Sequence, residues 1–328
     1  MKEDFKCPCK EVDPDNFLSN EQIEELIATM NSYKFKQDDY LKVYNCIHCN
    51  ECGTAEERFL LKYKFLKDGN NIDGLDDVIT TIEKYGTPFK LNKSRIKTIP
   101  GVKINSKTLL YLGCFTSVKT PKYGQNVIRY LLKEKVEFAI LEEEICCGYP
   151  ILCTGATETY KRLVQRNKDI FIEKGFERII TACPSCYMVF KKEYEDLNLK
   201  IDYFTDYLKP IHEKKNGNLI IQHACPLRNG AIEGIVEKLE EIFNKSGYNV
   251  IESVPNECCG GGIGHQLRID VINEIALKRM EQFNKINVNE DSENLITTYC
   301  PDAYWIIKVF GRKRRIKFKL KDMCELLL

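Results

Sequence analysis

Short apolar runs and amphipathic stretches alternate through the last two thirds of the chain. Strand-like runs lie at 108–113, 178–182, 219–223 and 294–298, with shorter ones at 138–141 and 250–254. Between them, apolar residues recur every three or four positions, most clearly at Ile232, Ile235, Val236, Leu239, Ile242 and Phe243. Strands that alternate with helices are typical of a parallel sheet covered by helices, so we predict an α/β fold.

The first hundred residues have a different pattern. They are rich in lysine and glutamate and contain few strand-like runs. Apolar residues at Ile23, Leu26, Ile27 and Met30 predict an amphipathic helix, which Ser19 or Asn20 would cap. The breakers around Pro88 and Pro100 then end this block. We predict a small, mostly helical module over residues 1–100.

The rest of the chain reads as two copies of one unit, at 105–212 and 217–328. The matching positions are Cys114 with Cys225, Cys146-Cys147-Gly148 with Cys258-Cys259-Gly260, Cys183-Pro184 with Cys300-Pro301, and Asp206 with Asp322. Their offsets stay between 111 and 117 residues. Each cysteine position follows a strand-like run, and the carboxyl ends of parallel strands share one sheet edge. We therefore expect the cysteines of each copy to converge there.

Composition and charge argue against several classes of function. The 328 residues include 49 Lys and Arg against 48 Asp and Glu, a formal net charge of +1. Such a balance argues against a general nucleic-acid binder. The sequence contains no apolar run long enough for a membrane span, and its first residues do not resemble a signal peptide. We expect a cytoplasmic protein without a membrane span of its own.

Cysteine is strongly over-represented, with 16 residues. In a reducing compartment this density points to metal binding, and the alternative is scattered buried thiols with a few disulfides. The first copy offers five thiols, at Cys114, Cys146, Cys147, Cys183 and Cys186. Five exceed what tetrahedral zinc needs and favour an iron–sulfur centre in which one thiolate bridges irons. The second copy offers four, at Cys225, Cys258, Cys259 and Cys300, because Ala303 stands where the first copy has Cys186.

A third cysteine group lies in the N-terminal block. Cys46, Cys49 and Cys52 have the spacing that opens a bacterial ferredoxin motif. The fourth cysteine of that motif is missing downstream, so Cys7 and Cys9 are the candidates for the fourth ligand. We expect a 4Fe–4S cluster here, with zinc or no metal as the alternatives.

The repeated pattern resembles the cysteine-rich CCG domains of heterodisulfide reductases. In those enzymes CCG domains occur in two kinds of subunit, and in one of the two they form the C-terminal part. The N-terminal block resembles a reduced form of the ferredoxin-like subunit of the same enzymes. In that family each complete motif holds a noncubane 4Fe–4S cluster, so the resemblance makes Cys114, Cys146, Cys147, Cys183 and Cys186 the catalytic ligands. It leaves open whether the second motif, which lacks one cysteine, also holds a cluster.

The resemblance implies a heterodisulfide reductase type of oxidoreductase. Electrons would pass from the N-terminal cluster to the five-cysteine centre, which would reduce a disulfide such as CoM-S-S-CoB to two thiols. An electron-donating flavoprotein, ferredoxin or cytochrome subunit would be the partner, since the sequence has no flavin or nicotinamide fingerprint. The alternatives are an electron-transfer subunit without a substrate site, as in anaerobic glycerol-3-phosphate dehydrogenase or lactate-utilisation proteins, and a zinc scaffold.

Other conspicuous residues have simpler interpretations. Cys153 and Cys324 are predicted to pack as small apolar side chains. His223 and His265 lie near cysteine positions and could donate protons, although structural hydrogen bonding is the favoured role. The basic run 308–321 could dock an acidic carrier or an anionic coenzyme, but its alternating apolar residues favour a solvated edge strand.

Overall fold

The N-terminal part of the molecule is helical. The computed structural model describes residues 7–90, 96, 99–103, 105–251, 257–262, 267–287 and 292–328. Its first helices are α1 (Pro8–Val12), α2 (Asn20–Ala28), α3 (Tyr40–Tyr44), α4 (Ala55–Lys67) and α5 (Leu75–Tyr85). Ser19 caps α2, because its Oγ accepts from the Gln22 amide at 3.2 Å while the Gln22 side chain accepts from the Ser19 amide at 2.9 Å. The helix ends at Ala28, two residues before Met30.

The first lobe is a three-stranded parallel sheet with helices around it. Its strands are β1 (Thr108–Tyr111), β2 (Arg178–Thr181) and β3 (Lys200–Tyr203), paired in the order β1-β2-β3. Its helices are α6 (Cys114–Val118), α7 (Pro121–Lys133), α8 (Tyr149–Leu152), α9 (Thr157–Glu173) and α10 (Pro184–Glu193). The predicted strand at 138–141 contributes only a single bridge, between Leu109 and Ala139.

The second lobe repeats this plan with a four-stranded parallel sheet. Its strands are β4 (Asn218–Gln222), β5 (Asn249–Val250), β6 (Asn294–Thr298) and β7 (Lys319–Leu320), in the order β5-β4-β6-β7. Its helices are α11 (Ile235–Lys245), α12 (Ile269–Asn284), α13 (Pro301–Arg314) and α14 (Met323–Leu327). Helix α11 starts after the left-handed Gly234, so Ile232 lies before it. The predicted basic edge strand is short, since much of the basic run belongs to α13.

One hydrophobic cluster spans both lobes. Leu110 and Tyr123 from the first lobe pack in the same cluster as Leu219 and Tyr299 from the second. Helix α14 joins this cluster beside α7, and the Asn126 amide donates to Asp322 Oδ2 at 2.7 Å. The α/β prediction is confirmed, with parallel sheets flanked by helices in both copies. Within the described residues, no helix is long and apolar enough to cross a membrane.

Candidate metal centres

The three cysteine positions of the first lobe meet at one end of its sheet. Cys114 begins α6 just after β1, the Cys146–Cys147 pair precedes α8, and Cys183 caps α10. Cys114 Sγ lies 3.6 Å from Cys146 Sγ. The Cys146 thiol contacts Cys147, the Cys147 thiol contacts Cys186, and the Cys186 thiol contacts Cys183. All five side chains are buried, so the residues that sequence analysis grouped form one continuous set of sulfur atoms.

A glycine shapes the backbone next to each cysteine pair. Gly148 has φ +94° and its amide donates to Cys146 Sγ at 3.4 Å. In the second lobe Gly260 has φ +77° and donates to Cys258 Sγ at 3.3 Å. A Cβ on Gly148 would lie 2.7 Å from the Tyr160 ring. The Cys-Cys-Gly sequence therefore allows the turn that directs an amide hydrogen at sulfur.

The second lobe groups its four cysteines in a similar way. The Cys225 thiol contacts Cys258, which in turn contacts Cys259. The hydrogen bond with Cys258 lowers the pKa of Cys225 to about 7, and the positive charge of Arg228 adds to this effect. Cys300 caps α13 with φ −122° and ψ 123°, close to the −130° and 130° of Cys183. The repeat thus extends to individual backbone angles.

The N-terminal cysteines are brought together from two segments. The Cys7 and Cys9 thiols are hydrogen-bonded to each other, and both side chains pack in one cluster with Ile47 and Cys49. The His48 amide donates to Cys46 Sγ at 3.3 Å. Both candidates for the fourth ligand therefore lie beside the Cys46–Cys52 loop.

Buried charges beside the cysteines were not predicted from the sequence. Arg58 and Lys62 are 2% and 1% exposed next to the N-terminal group, and Arg279 is 1% exposed next to the second-lobe group. The first-lobe group is bordered instead by the carboxyls of Glu144 and Asp302, whose pKa values burial raises to about 7. Long side chains at ordinary helix positions carry no sequence signal for such a role.

Glu144 also positions the first-lobe loop. Its carboxylate accepts from the Leu112 amide at 2.7 Å and from the Gly113 amide at 2.8 Å, immediately before Cys114. A Cβ on Gly113, where φ is +85°, would lie 3.2 Å from Cys186 Sγ. The loop at Gly113 therefore passes close to Cys186.

A cavity opens where the three parts of the chain meet. Its volume is about 520 Å³ including the open mouth. The lining residues are Ile47, His48, Cys49, Tyr149, Pro184, Ser185, His223, Ala224, Cys225, Pro226, Cys258, Cys259, Gly261, Gly262, Cys300, Asp302 and Ala303. Among the described residues, no group of three or more Cys, His, Asp or Glu side chains is arranged as a single-ion site.

Two further cysteines and one histidine that the sequence singles out are buried in the structure. Cys153 is fully buried, contacts Tyr149, and has its pKa raised by burial to about 12, while Cys324 lies in the hydrophobic cluster that spans both lobes. His223 Nδ1 lies 3.2 Å from the Tyr299 hydroxyl, and burial lowers the pKa of this imidazole to about 3. His265 falls outside the described residues.

The cysteine repeat also decides the family. A model of the cysteine-rich domain named CCG matches residues 108–191 and 219–308, together more than half of the chain. The chain belongs to the CCG cysteine-rich domain family. Each matched CCG range contains a full set of strand-end cysteine positions, including the second copy with Ala303.

Curated CCG relatives are iron–sulfur proteins and oxidoreductase subunits. An uncharacterized iron–sulfur protein of Methanococcus maripaludis is 25% identical over 81% of this chain and 57% of its own. One subunit of the fumarate reductase (CoM/CoB) of Methanothermobacter marburgensis is 25% identical over 87% and 61%. One subunit of the dihydromethanophenazine:CoB–CoM heterodisulfide reductase of Methanosarcina acetivorans is 24% identical over 82% and 72%. The chain thus spans about six tenths of the first two relatives.

Proposed function

We propose that this chain is the iron–sulfur subunit of a heterodisulfide reductase type of complex, in which the first lobe reduces a disulfide to two thiols. The observation that carries the proposal is the unbroken set of five buried sulfur atoms from Cys114 to Cys183. Five thiols exceed the ligand number of a single zinc ion and suit a multi-iron core. The named subunits among the relatives support the same reaction class.

The donor groups fit iron–sulfur clusters at three places. The ligands would be Cys114, Cys146, Cys147, Cys183 and Cys186 in the first lobe, Cys225, Cys258, Cys259 and Cys300 in the second, and Cys46, Cys49 and Cys52 with Cys7 or Cys9 in the N-terminal part. Clusters bound there supply single electrons, and two electrons with two protons convert a disulfide to two thiols. Amide donors to sulfur and the buried Arg58 and Arg279 favour the thiolate form in the N-terminal and second-lobe groups, and they oppose the burial that raises the pKa of most of these thiols.

The cavity between the parts reaches the border of the first-lobe centre, because Pro184 and Ser185, which lie between Cys183 and Cys186 in the sequence, line it. We propose that the disulfide approaches the first-lobe centre from this side, past Asp302 and Ala303 of the second lobe. The described lining of the cavity contains no lysine or arginine, so the charged ends of an anionic coenzyme would lie outside it.

The partner would be an electron-donating flavoprotein, ferredoxin or cytochrome subunit. A basic groove along α13 is a suitable docking surface for an acidic donor, since Lys308, Arg312 and Arg315 line it. Helix α13 starts at the Cys300 cap, so the groove and one of the second-lobe cysteines lie on the same element.

A relay function without a substrate site is the second candidate. The first-lobe thiols are all less than 9% exposed, and this enclosure suits electron transfer between subunits as well as it suits chemistry. The relay predicts full cluster loading without thiol release.

Thiol release from a heterodisulfide tests the proposal. Protein reconstituted anaerobically with iron and sulfide receives electrons from a reduced viologen dye, and free thiols are counted. We expect two thiols per disulfide, an EPR signal of the oxidised protein that depends on added thiol, and loss of both in Cys186→Ala. The buried Cys153→Ala is the matched control. Cluster loading without thiol release favours the relay, and bound zinc without acid-labile sulfide contradicts both redox functions.

A further inference from the structure

The helix that follows the Cys-Cys-Gly turn occupies the same place in both lobes. Helix α9 follows the first turn and α12 follows the second, and the offset of 112 residues that relates the cysteine pairs also relates Phe171 of α9 to Phe283 of α12. Both phenylalanine side chains are buried. At this offset Asn167 corresponds to Arg279, so a neutral amide in the first copy is replaced by a guanidinium in the second.

Both side chains support the loop that carries the cysteine pair. The Asn167 amide donates to the Cys146 carbonyl at 3.0 Å. In the second lobe Arg279 Nε donates to Gln222 Oε1 at 2.8 Å, and Gln222 Nε2 donates to the carbonyl of Glu257, immediately before the cysteine pair, at 3.0 Å. The two positions therefore have the same structural task, but the second copy performs it with a positive charge.

The Arg279 guanidinium lies in the protein interior and keeps its charge there. The side chain is 1% exposed, and its Cζ lies 4.5 Å from the centre of the Phe283 ring. It also donates to Gln282 Oε1 at 2.8 Å. Burial lowers the pKa of Arg279 to about 10, so the group is still protonated at neutral pH. A buried charge acts on its neighbours with less screening than an exposed one.

This charge acts on the second-lobe thiols. The strongest interaction of the guanidinium with another charge is with the Glu257 carboxylate, and interactions with three thiols follow, those of Cys259, Cys225 and Cys258. Glu257 is partly exposed, so water screens its carboxylate more than it screens Arg279. The carboxylate therefore offsets the buried cation only in part.

The surroundings of the first-lobe thiols have the opposite character. The carboxyls of Glu144 and Asp302 lie at their border, and the group has five thiols where the second lobe has four. The reduction potential of an iron–sulfur centre depends on its net charge, its hydrogen bonds and its exposure to solvent. Reduction adds a negative charge, so fewer thiolates and a buried cation favour it in the second lobe.

We propose that Arg279 makes the second-lobe centre easier to reduce than the first-lobe centre, so that the second lobe holds one electron until another arrives. This inference rests on the proposed function, because it concerns the potential of one of the proposed centres. A partner that donates single electrons supplies two of them in turn, and two electrons with two protons convert one disulfide to two thiols. Arg279 is thus a tuning and positioning residue, not a ligand.

Redox titrations of the full chain test this role, with EPR detection after anaerobic reconstitution with iron and sulfide. Cys186→Ala identifies the first-lobe signal by its loss, and Cys259→Ala identifies that of the second lobe. In the wild-type chain we expect the second-lobe centre to be reduced at the higher potential. In Arg279→Asn, which carries the residue of the first copy, we expect the ratio of reduced to oxidised second-lobe centre at a fixed potential to fall roughly tenfold, equivalent to about 59 mV for one electron.

Two further variants separate the charge from the fold. Arg279→Lys retains a positive charge, and we expect its second-lobe midpoint to stay close to that of the wild type. Arg314→Asn removes an exposed positive charge on α13 and is expected to leave both midpoints unchanged. A wild-type midpoint in Arg279→Asn, an equal shift in both lobes, or a midpoint in Arg279→Lys as low as in Arg279→Asn overturns the proposal. If Arg279→Asn binds no second-lobe centre, the order of the two wild-type midpoints decides, and the reverse order overturns the proposal.

Failure of the proposed function gives a different result. A wild-type chain that takes up no iron and sulfide, or that loads fully and releases no thiol from a heterodisulfide, is not a disulfide reductase. A chain that loads both lobes and releases thiols, but has the two midpoints in the reverse order, loses only the role of Arg279. An empty second lobe beside a loaded first lobe also overturns that role and leaves the first-lobe reaction intact.

Discussion

At the scale of single residues, the repeat places an aspartate at the same position in both copies, but the burial of this aspartate differs between them. Asp206 accepts a hydrogen bond from the Tyr203 amide at 3.0 Å, and its counterpart Asp322 accepts from the Glu325 amide at 2.8 Å. Asp322, however, is 1% exposed and is also bonded to Asn126 of the other lobe. Burial raises its pKa from the ordinary 3.8 to about 6.

This shift gives the metal-free protein a defined pH dependence. Between about pH 4 and pH 6 the folded state keeps a proton on Asp322 that the unfolded state has released, so raising the pH destabilises the fold over this interval. At 1.36 kcal/mol per pKa unit the loss is roughly 3 kcal/mol. We expect Asp322→Asn, which retains a capping side chain, to flatten the profile of unfolding free energy in urea between pH 4 and pH 6.

The control is Asp206→Asn, at the matching and 42% exposed position of the first copy. An equal change of slope in both variants would show that the burial of Asp322 is not the cause.

The sequence predicts the cysteine groups but not the buried charges around them. The cysteines could be grouped because two copies with nearly constant offsets reveal which positions correspond. Arg58, Lys62 and Arg279 could not, because each lies on a helix where a long basic side chain is unremarkable, and only packing shows that it is buried. The hydrogen bond from the Asn229 side chain to the Cys49 carbonyl joins residues 180 apart, a separation at which no periodic pattern gives information.

At the scale of elements, helix α4 packs closely on the first lobe at a glycine. A Cβ on Gly155, where φ is +88°, would lie 2.5 Å from the backbone carbonyl of Lys62. The Tyr44 hydroxyl donates to the Thr154 carbonyl at 2.8 Å beside this contact. Backbone against backbone leaves no side chain that could move aside, so the approach requires glycine.

We therefore expect Gly155→Ala to separate α4 from the first lobe. The left-handed angle costs about 1–2 kcal/mol for a residue with a Cβ, and the clash adds about 1–3 kcal/mol. The unfolding free energy from denaturant titration of the metal-free protein measures the sum. Gly175→Ala is the matched control, because its φ is +65° and nothing lies within 4 Å of the added Cβ. Equal losses in the two variants would contradict the close contact.

The central strands of both sheets can be predicted from the sequence, whereas the lengths of the edge strands cannot. In central strands such as β2 (RIIT) and β6 (NLITT) every residue after the first is buried, and their isoleucines and threonines indicate a strand clearly. Edge positions were wrong in length: residues 138–141 form a single bridge, and 316–320 shrink to the two residues of β7. An edge strand pairs on one side only, so few hydrogen bonds hold it in register and its sequence specifies it weakly.

At the scale of the whole molecule, a buried arginine holds the N-terminal part on the second lobe. Arg268 pairs with Asp13 at 2.6 Å and with Asp270 at 2.8 Å, and it donates to the Leu41 carbonyl at 3.0 Å. Its side chain is only 7% exposed. The N-terminal part thus depends on a paired charge that cannot return to water while the contact is intact.

Arg268→Met is expected to loosen this attachment. Losing one partner of a buried pair costs about 3–5 kcal/mol, and among the described residues Asp13 then keeps only its hydrogen bonds from Asn16. Limited proteolysis with mass spectrometry of the fragments should show faster cutting within residues 7–90 and unchanged protection of the two lobes. Arg314→Met removes an exposed pair with Glu281 and serves as control. Similar cutting rates in both variants would argue against a role for Arg268 in docking.

The position of α14 sets the order in which the molecule can be completed. Met323 and Leu327 fill the core beside α7, and Lys133 Nζ donates to the Leu327 carbonyl at 2.7 Å. During synthesis these residues leave the ribosome long after β1, α7 and the five thiols of the first lobe. The core beside α7 is therefore completed only when Leu327, which follows Lys133 by 194 residues, has been made, so the first lobe gains its full packing only after the second has been synthesised.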